Sequence, residues 1–133
     1  MKAVFADTSF YLAVLNPRDL AHAKALQVGE RFHRPVLLTD FTLLELGNAL
    51  SGAGQRELFS RLVSHLRAHP NVRIIPASRD LLDRGLELFS RRGDKEWSLT
   101  DCTSFVVMQE EGLTEALTTD HHFEQAGFRA LLR

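Results

Sequence analysis

At 133 residues with 44% hydrophobic side chains, the chain is long enough to bury one real core and too short for two large ones, so a single domain over 1–133 is expected. Sixteen Lys and Arg stand against 17 Asp and Glu, which excludes an unusually basic nucleic-acid binder but leaves room for local patches. A lone Cys102 cannot form an internal disulfide, no signal-peptide core precedes the first apolar run, and no apolar run is long enough for a bilayer; a cytoplasmic protein without a membrane partner is expected.

Residues 3–6 read as a buried strand, after which a short helix over 9–15 is stopped by Asn16-Pro17. Asp19 is placed to cap the next helix, which carries Leu20, Ala23, Leu26 and Ala21, Ala25, Val28 at helical spacing. Residues 36–38 form a second strand. A strongly apolar helix follows over 41–50, with Asp40 as a good cap and Ser51-Gly52-Ala53-Gly54 as its close. Leu58, Leu62, Leu66 and Val63 mark a further helix, and 71–75 a third strand. After Pro76 a helix spans about 78–92 with Leu81, Leu82, Leu86, Leu88 and Phe89 inside, until Gly93-Asp94 breaks it. Residues 98–111 form the most apolar helix, ending at Gly112; 116–118 and a short 128–132 supply the last two strands. Strands separated by helices imply parallel pairing through right-handed crossovers, hence a three-layer α/β/α sandwich around a parallel sheet of about five strands. The strands are apolar runs without alternation, as when helices cover both faces.

Four acids stand beside apolar segments where an isolated carboxylate is poorly placed. Asp7 ends the first strand, Glu45 interrupts a leucine-rich helix, Asp101 opens the most apolar helix, and Asp120 follows the fourth strand. Each also has a local reading as a helix cap. Asp7 or Thr8 can start the first helix, Thr42-x-x-Glu45 and Ser98-x-x-Asp101 have capping-box spacing, and Asp120 precedes a turn at His121-His122. The joint reading favours a site. Glu45 lies in a helix that reads as buried nearly all round, where an unpaired carboxylate is expensive, and Asp40 relieves it of capping. Asp7 and Asp120 follow strands at the end where such sheets bind ligands. Gathered carboxylates about 4 Å apart repel by roughly 4 kcal/mol per pair at an effective dielectric near 20, so they require a cation or a proton. Oxygen ligands suit Mg²⁺ or Mn²⁺; an isolated cysteine and histidines without paired-ligand spacing argue against zinc.

The segments carrying these acids are Phe5-Ala6-Asp7-Thr8-Ser9, Thr42-Leu43-Leu44-Glu45-Leu46-Gly47-Asn48-Ala49-Leu50, Trp97-Ser98-Leu99-Thr100-Asp101-Cys102 and Leu117-Thr118-Thr119-Asp120-His121-His122-Phe123. In that order they resemble a PIN-domain ribonuclease of the VapC type, a toxin of toxin–antitoxin pairs, over essentially the whole chain. The resemblance implies metal-dependent endoribonuclease activity leaving a 5′-phosphate and a 3′-hydroxyl. It assigns Asp7 and Asp101 as principal holders of Mg²⁺ or Mn²⁺, with Glu45 and Asp120 completing the shell directly or through water. RNA as substrate, a cognate antitoxin over the acidic mouth, and a homodimer through apolar helix faces around 41–66 are implied as well.

Other residues carry two readings each. Thr8 and Ser9 can hydrogen-bond a carboxylate or the scissile phosphate, or serve as helix-start hydroxyls. Arg91, Arg92 and Lys95 suit phosphate contact or form a solvated face. His121 and His122 read as a solvated helix start in preference to metal ligands or a general acid, because metal-activated water needs no histidine base. Trp97 stacks on a base or packs ahead of its helix. Asp94 reads as a surface turn or an outer acid, and Asp19 with His22 as structural or subunit contacts. Rival classes fare worse. An aspartate-nucleophile hydrolase needs a second Asp where Ser9 stands, a phospho-receiver needs paired early acids and a late Lys, and no Gly-rich phosphate loop occurs. A non-catalytic PIN-like binding module, or an RNA-processing nuclease that is not a toxin, remains as the alternative.

Overall fold

The computed structural model describes residues 2–31 and 33–133. Twelve elements follow one another along the described residues: β1 Val4–Ala6, α1 Thr8–Leu15, α2 His22–Arg31, β2 Val36–Thr39, α3 Asp40–Ala49, α4 Arg56–Ala68, β3 Val72–Ile75, α5 Arg79–Arg91, α6 Leu99–Glu110, β4 Glu115–Leu117, α7 His121–Gln125 and β5 Arg129–Ala130. The strands form one sheet in the order β3-β2-β1-β4-β5, and every pairing is parallel. This is the expected α/β architecture with five strands.

Both sheet faces are covered, and the period of two along each strand divides the core. Val4, Ala6, Leu38 and Leu117 point toward α1–α4, where Phe10, Tyr11, Leu43, Leu46 and Leu66 meet them. Phe5, Leu37 and Ala116 point the other way, toward Leu81, Phe105, Met108 and Phe123. Because both faces are buried, a strand that alternates in space does not alternate in hydropathy. The chain runs outward from β1 to β2 and β3, then crosses back to place β4 on the other side of β1. The order therefore reverses between β1 and β4, and a crevice opens at their carboxyl ends.

Several local expectations need correction. α3 is not buried all round: Leu44 is 62% exposed, and Asn48 and Ala49 also face solvent. Its cap is Thr39, whose Oγ1 accepts from Thr42 N at 3.1 Å, whereas Asp40 Oδ2 accepts from Ala77 N. Thr42-x-x-Glu45 is thus no capping box, and Glu45 is left without a capping role. α2 starts at His22, with Asp19 Oδ1 accepting from Ala21 N in the turn before it; the Ala21, Ala25, Val28 stripe faces inward and Leu20, Ala23, Leu26 face out. His22 Nδ1 lies 2.6 Å from the Ala13 carbonyl, which ties α2 to α1. Asp19 and His22 are structural in this fold.

α5 packs so closely on α6 that its inner stripe passes through Gly85, leaving Leu86 and Phe89 41% and 47% exposed. A Cβ on Gly85 would stand 2.6 Å from Thr103 Cγ2. Gly85→Ala is therefore expected to destabilise by up to about 2 kcal/mol, since an overlap of about 1–3 kcal/mol outweighs a helix-propensity gain near 1 kcal/mol. In a Thr103→Ser background, which keeps the hydroxyl and removes Cγ2, the same change becomes neutral or stabilising. Urea unfolding of the four variants reads the sign directly.

Candidate functional site

The crevice is a cavity of about 300 Å³ lined by Asp7, Thr8, Ser9, Leu12, Glu45, Glu96, Ser98, Asp101, Asp120 and His122. All four acids singled out above, with Thr8 and Ser9, line it. Asp7 is the residue after β1, Glu45 lies on α3, Asp101 on the first turn of α6, and Asp120 immediately before α7.

Each aspartate has one oxygen fastened by the fold. Asp7 Oδ2 accepts from Ser9 Oγ and Thr118 Oγ1, both at 2.8 Å. Ser9 Oγ in turn accepts from Thr119 N, and Thr118 Oγ1 from Asp120 N, so two hydroxyls knit the ends of β1 and β4 together. Asp101 Oδ2 accepts from Ser98 N at 3.0 Å while Ser98 Oγ accepts from Asp101 N, a complete capping box. Asp120 Oδ1 accepts from His122 N at 2.9 Å. The capping readings of Asp101 and Asp120 are therefore true, and they use one oxygen of each carboxylate. Among the described residues the other oxygens, Asp7 Oδ1, Asp101 Oδ1 and Asp120 Oδ2, accept no hydrogen bond, nor does either oxygen of Glu45. Among the described residues no fully buried side-chain oxygen lacks a partner, so these unpartnered atoms keep some exposure, and the residues that carry them line the crevice.

The electrostatics match that geometry. Burial pushes the Asp7 carboxyl up to about 6, against the pull of the Ser9 and Thr118 hydroxyls and with a further push from Asp101 and Glu45. Asp101 is raised too, first by burial and then by Asp120, while the Ser98 N–H and His122 pull it down. The carboxylates are short of positive charge and long of oxygen, the donor chemistry of Mg²⁺ and Mn²⁺. The residues present fit such an ion.

Two ionisable lining residues, His122 and Glu96, were not legible as such. His122 was read as solvated, yet its side chain is only 19% exposed and Nδ1 lies 3.1 Å from Asp101 Oδ2. It turns inward because it follows the cap by two residues on α7 and precedes fully buried Phe123. His121 fits the solvated reading, with its side chain 56% exposed. Glu96, in an irregular segment with no periodic signal, adds a fifth acid to the wall. Thr8, besides lining the cavity, donates to the Thr42 carbonyl at 3.5 Å.

The basic cluster divides. Arg92 grips Asp94 through two hydrogen bonds at 2.9 and 3.0 Å, which holds the Asp94 carboxyl down at about 2, and its guanidinium lies 5.0 Å from the Trp97 ring centre. Arg91 pairs with Glu87 along α5. Arg92 and Lys95 line a second cavity that shares Glu96 with the acidic one. Trp97 is buried, donates Nε1–H to Gln125 and meets Phe105 edge to face, so it packs and does not stack on a base. Asp94 sits on the surface turn.

Residues 4–129 match the family model of the PIN domain. The 23S rRNA-specific endonuclease VapC20 of Mycobacterium tuberculosis is 30% identical over 126 residues, covering 94% of this chain and 95% of that protein. The crystal structure of M. tuberculosis VapC20, described as a sarcin–ricin loop cleaving toxin, superposes with a TM-score of 0.84 at 28% identity, covering 94% of this chain and 95% of that one. FitAcB from Neisseria gonorrhoeae shares the fold with a TM-score of 0.68 at 18% identity, over 96% of this chain and 94% of that one. A toxin–antitoxin complex from Klebsiella pneumoniae does so with 0.63 at 19%, over 89% and 87%.

Proposed function

The chain belongs to the PIN-domain family, and from that premise we propose that it is a single-domain, metal-dependent endoribonuclease of the VapC toxin type that cuts 23S rRNA. One observation carries the reading: three aspartates each keep one oxygen fastened and present the other to a common crevice, with Glu45 beside them. Asp7 and Asp101 are the principal holders of Mg²⁺ or Mn²⁺, and Glu45 and Asp120 complete the shell. When bound, such an ion supplies positive charge for the phosphoryl oxygens and acidifies water at neutral pH. The chain itself holds the carboxylates apart, limits their rotation and keeps one wall of the crevice apolar through Leu12. Ser9 and Thr118 act by orienting Asp7. Lys95, beside the crevice, meets the RNA backbone, while Arg92 and Arg91 are held by Asp94 and Glu87.

The likeness to VapC20, described as a toxin, supports the sarcin–ricin loop as the first substrate to try; a cognate antitoxin in the cytoplasm is the partner that a toxin of this type would need. Exposed Leu44, beside a groove lined by Leu43, Gly47, Phe59 and Val63 on α3 and α4, supports a homodimer through this face. Among the described residues no helix is long and apolar enough to cross a membrane.

Purified protein incubated with ribosomes and with a mixed RNA panel is expected to cut 23S rRNA in Mn²⁺ or Mg²⁺ and not in EDTA. Asp101→Asn should cut at least about 100-fold more slowly. Absence of cutting by the wild type, or equal cutting by the variant, leaves a binding module as the reading.

A further inference from the structure

We propose that His122 is a positioning residue that sets the open oxygens of Asp101 and Asp120, acting from behind the two carboxylates and not as a ligand. The proposal rests on the reading of the crevice as a metal-dependent nuclease site.

His122 Nδ1 lies 3.1 Å from Asp101 Oδ2 and 3.3 Å from Asp120 Oδ1. Ionised carboxylates only accept, so Nδ1 carries the hydrogen and the imidazole donates. Both oxygens it reaches are the fastened ones. Asp101 Oδ2 already accepts from Ser98 N, and Asp120 Oδ1 from the backbone N of His122 itself. A single ring thus hydrogen-bonds the fastened oxygen of Asp101 on α6 and stands at ion-pair distance from that of Asp120, the residue before α7, so it spans the two carboxylates. Rotation of either carboxylate would break a contact with the same imidazole. Asp7 reaches an equivalent state through two hydroxyls, Ser9 and Thr118.

A different use of these atoms is conceivable on distance alone, because donor atoms of Asp120, His121 and His122 fall within 4.8 Å of one another. Hydrogen bonding takes Nδ1 of His122 out of that set and leaves any ligation by this ring to Nε2, which the spectrum of bound Mn²⁺ reads. His121 Nδ1 faces the same fastened Asp120 Oδ1 at 3.7 Å. Groups that donate to a ligand from behind fix its orientation, and their loss typically weakens metal binding 10- to 100-fold.

The test is Mn²⁺ affinity, read from the electron paramagnetic resonance of free Mn²⁺, for the full chain, His122→Phe and His122→Asn. Phe keeps a ring and removes the donor; Asn places an amide N–H close to where Nδ1 stood. His122→Phe is expected to raise the Kd 10- to 100-fold and His122→Asn by less than about threefold, with the metal-free melting temperature unchanged in both. Spin-echo spectra of bound Mn²⁺ should show no coupling to a directly bound imidazole nitrogen. Unchanged affinity in the Phe variant, or equal loss in both, overturns the proposal. So does a strong nitrogen coupling that disappears with His122, which would make it a ligand. Should the Phe variant fail to fold, the Asn variant and the spectrum still decide. If the unsubstituted chain binds no Mn²⁺, the nuclease reading falls first and this role with it.

Discussion

Asp7→Asn is expected to slow cleavage by about 10²- to 10³-fold and, in the same protein, to raise the melting temperature of the metal-free form at pH 7.5. The two effects share one cause. Asp7 is only 5% exposed, and its carboxyl titrates near 6 in the folded chain against 3.8 when unperturbed, chiefly because burial disfavours its charge. Between about pH 4 and pH 6 the folded protein holds a proton that the unfolded chain has released, so metal-free stability falls as pH rises through that window. The loss is on the order of 3 kcal/mol and is complete above it. Asn presents a carbonyl oxygen to the same Ser9 and Thr118 hydroxyls without the charge. A gain of about 1–3 kcal/mol corresponds to a rise of about 4–11 °C for a chain of this size. Calorimetry in EDTA at pH 5 and pH 7.5 should show the difference between variant and wild type shrinking at the lower pH. Saturating Mn²⁺ should then reverse the order, because only the wild type gains stability from binding. A variant that melts below the wild type at pH 7.5 in EDTA would mean that the buried charge is not a burden to the fold.

This conflict between folding and site also explains what the sequence could and could not reveal. β1 and β2 were legible because they are buried runs of apolar residues with no alternation, and Asp7 was placed because it directly follows one; Asp120 stands three residues beyond the short β4. Hydropathy spoke poorly where backbone proximity takes over. It could not see that Gly85 lies on the inner stripe of α5, so Leu86 and Phe89 were placed inside when a glycine holds that position. It also counted capping and ligation as competitors. In the folded chain Asp101 and Asp120 each cap with one oxygen and keep the other unpartnered, because a carboxylate has two, so capping does not exclude the ligand role proposed above. Thr118 and His122 were missed for a related reason. Each serves another residue's oxygen, and such a role leaves no spacing signal until the strand ends are brought together.

Phe105→Ala is expected to destabilise the protein by about 3–5 kcal/mol, a large fraction of the 5–15 kcal/mol that domains of this kind possess. Phe105 is 1% exposed and lies at the centre of a ring cluster, 5.0 Å from Trp97, 4.9 Å from Phe123 and 5.7 Å from Phe128 between ring centres. Its position has a consequence beyond stability. Phe105 stands one helical turn after Asp101 on α6, and Phe123 is the residue after His122 on α7, so the edge-to-face rings lie between the two helices across which His122 meets Asp101. Phe105→Leu should therefore fold, with a loss of about 1–3 kcal/mol from imperfect filling and missing edge-to-face contacts, yet bind Mn²⁺ measurably more weakly. Leu66→Ala supplies the comparison. It removes a buried side chain from α4 on the opposite face of the sheet, at a cost of about 2–5 kcal/mol, and lies outside the ring cluster between α6 and α7. If Mn²⁺ affinity follows the rings and not the loss of stability, the aromatic core on one side of the sheet is part of the machinery that spaces the carboxylates. If both substitutions weaken binding alike, affinity simply tracks global stability and the cluster has no special hold on the site.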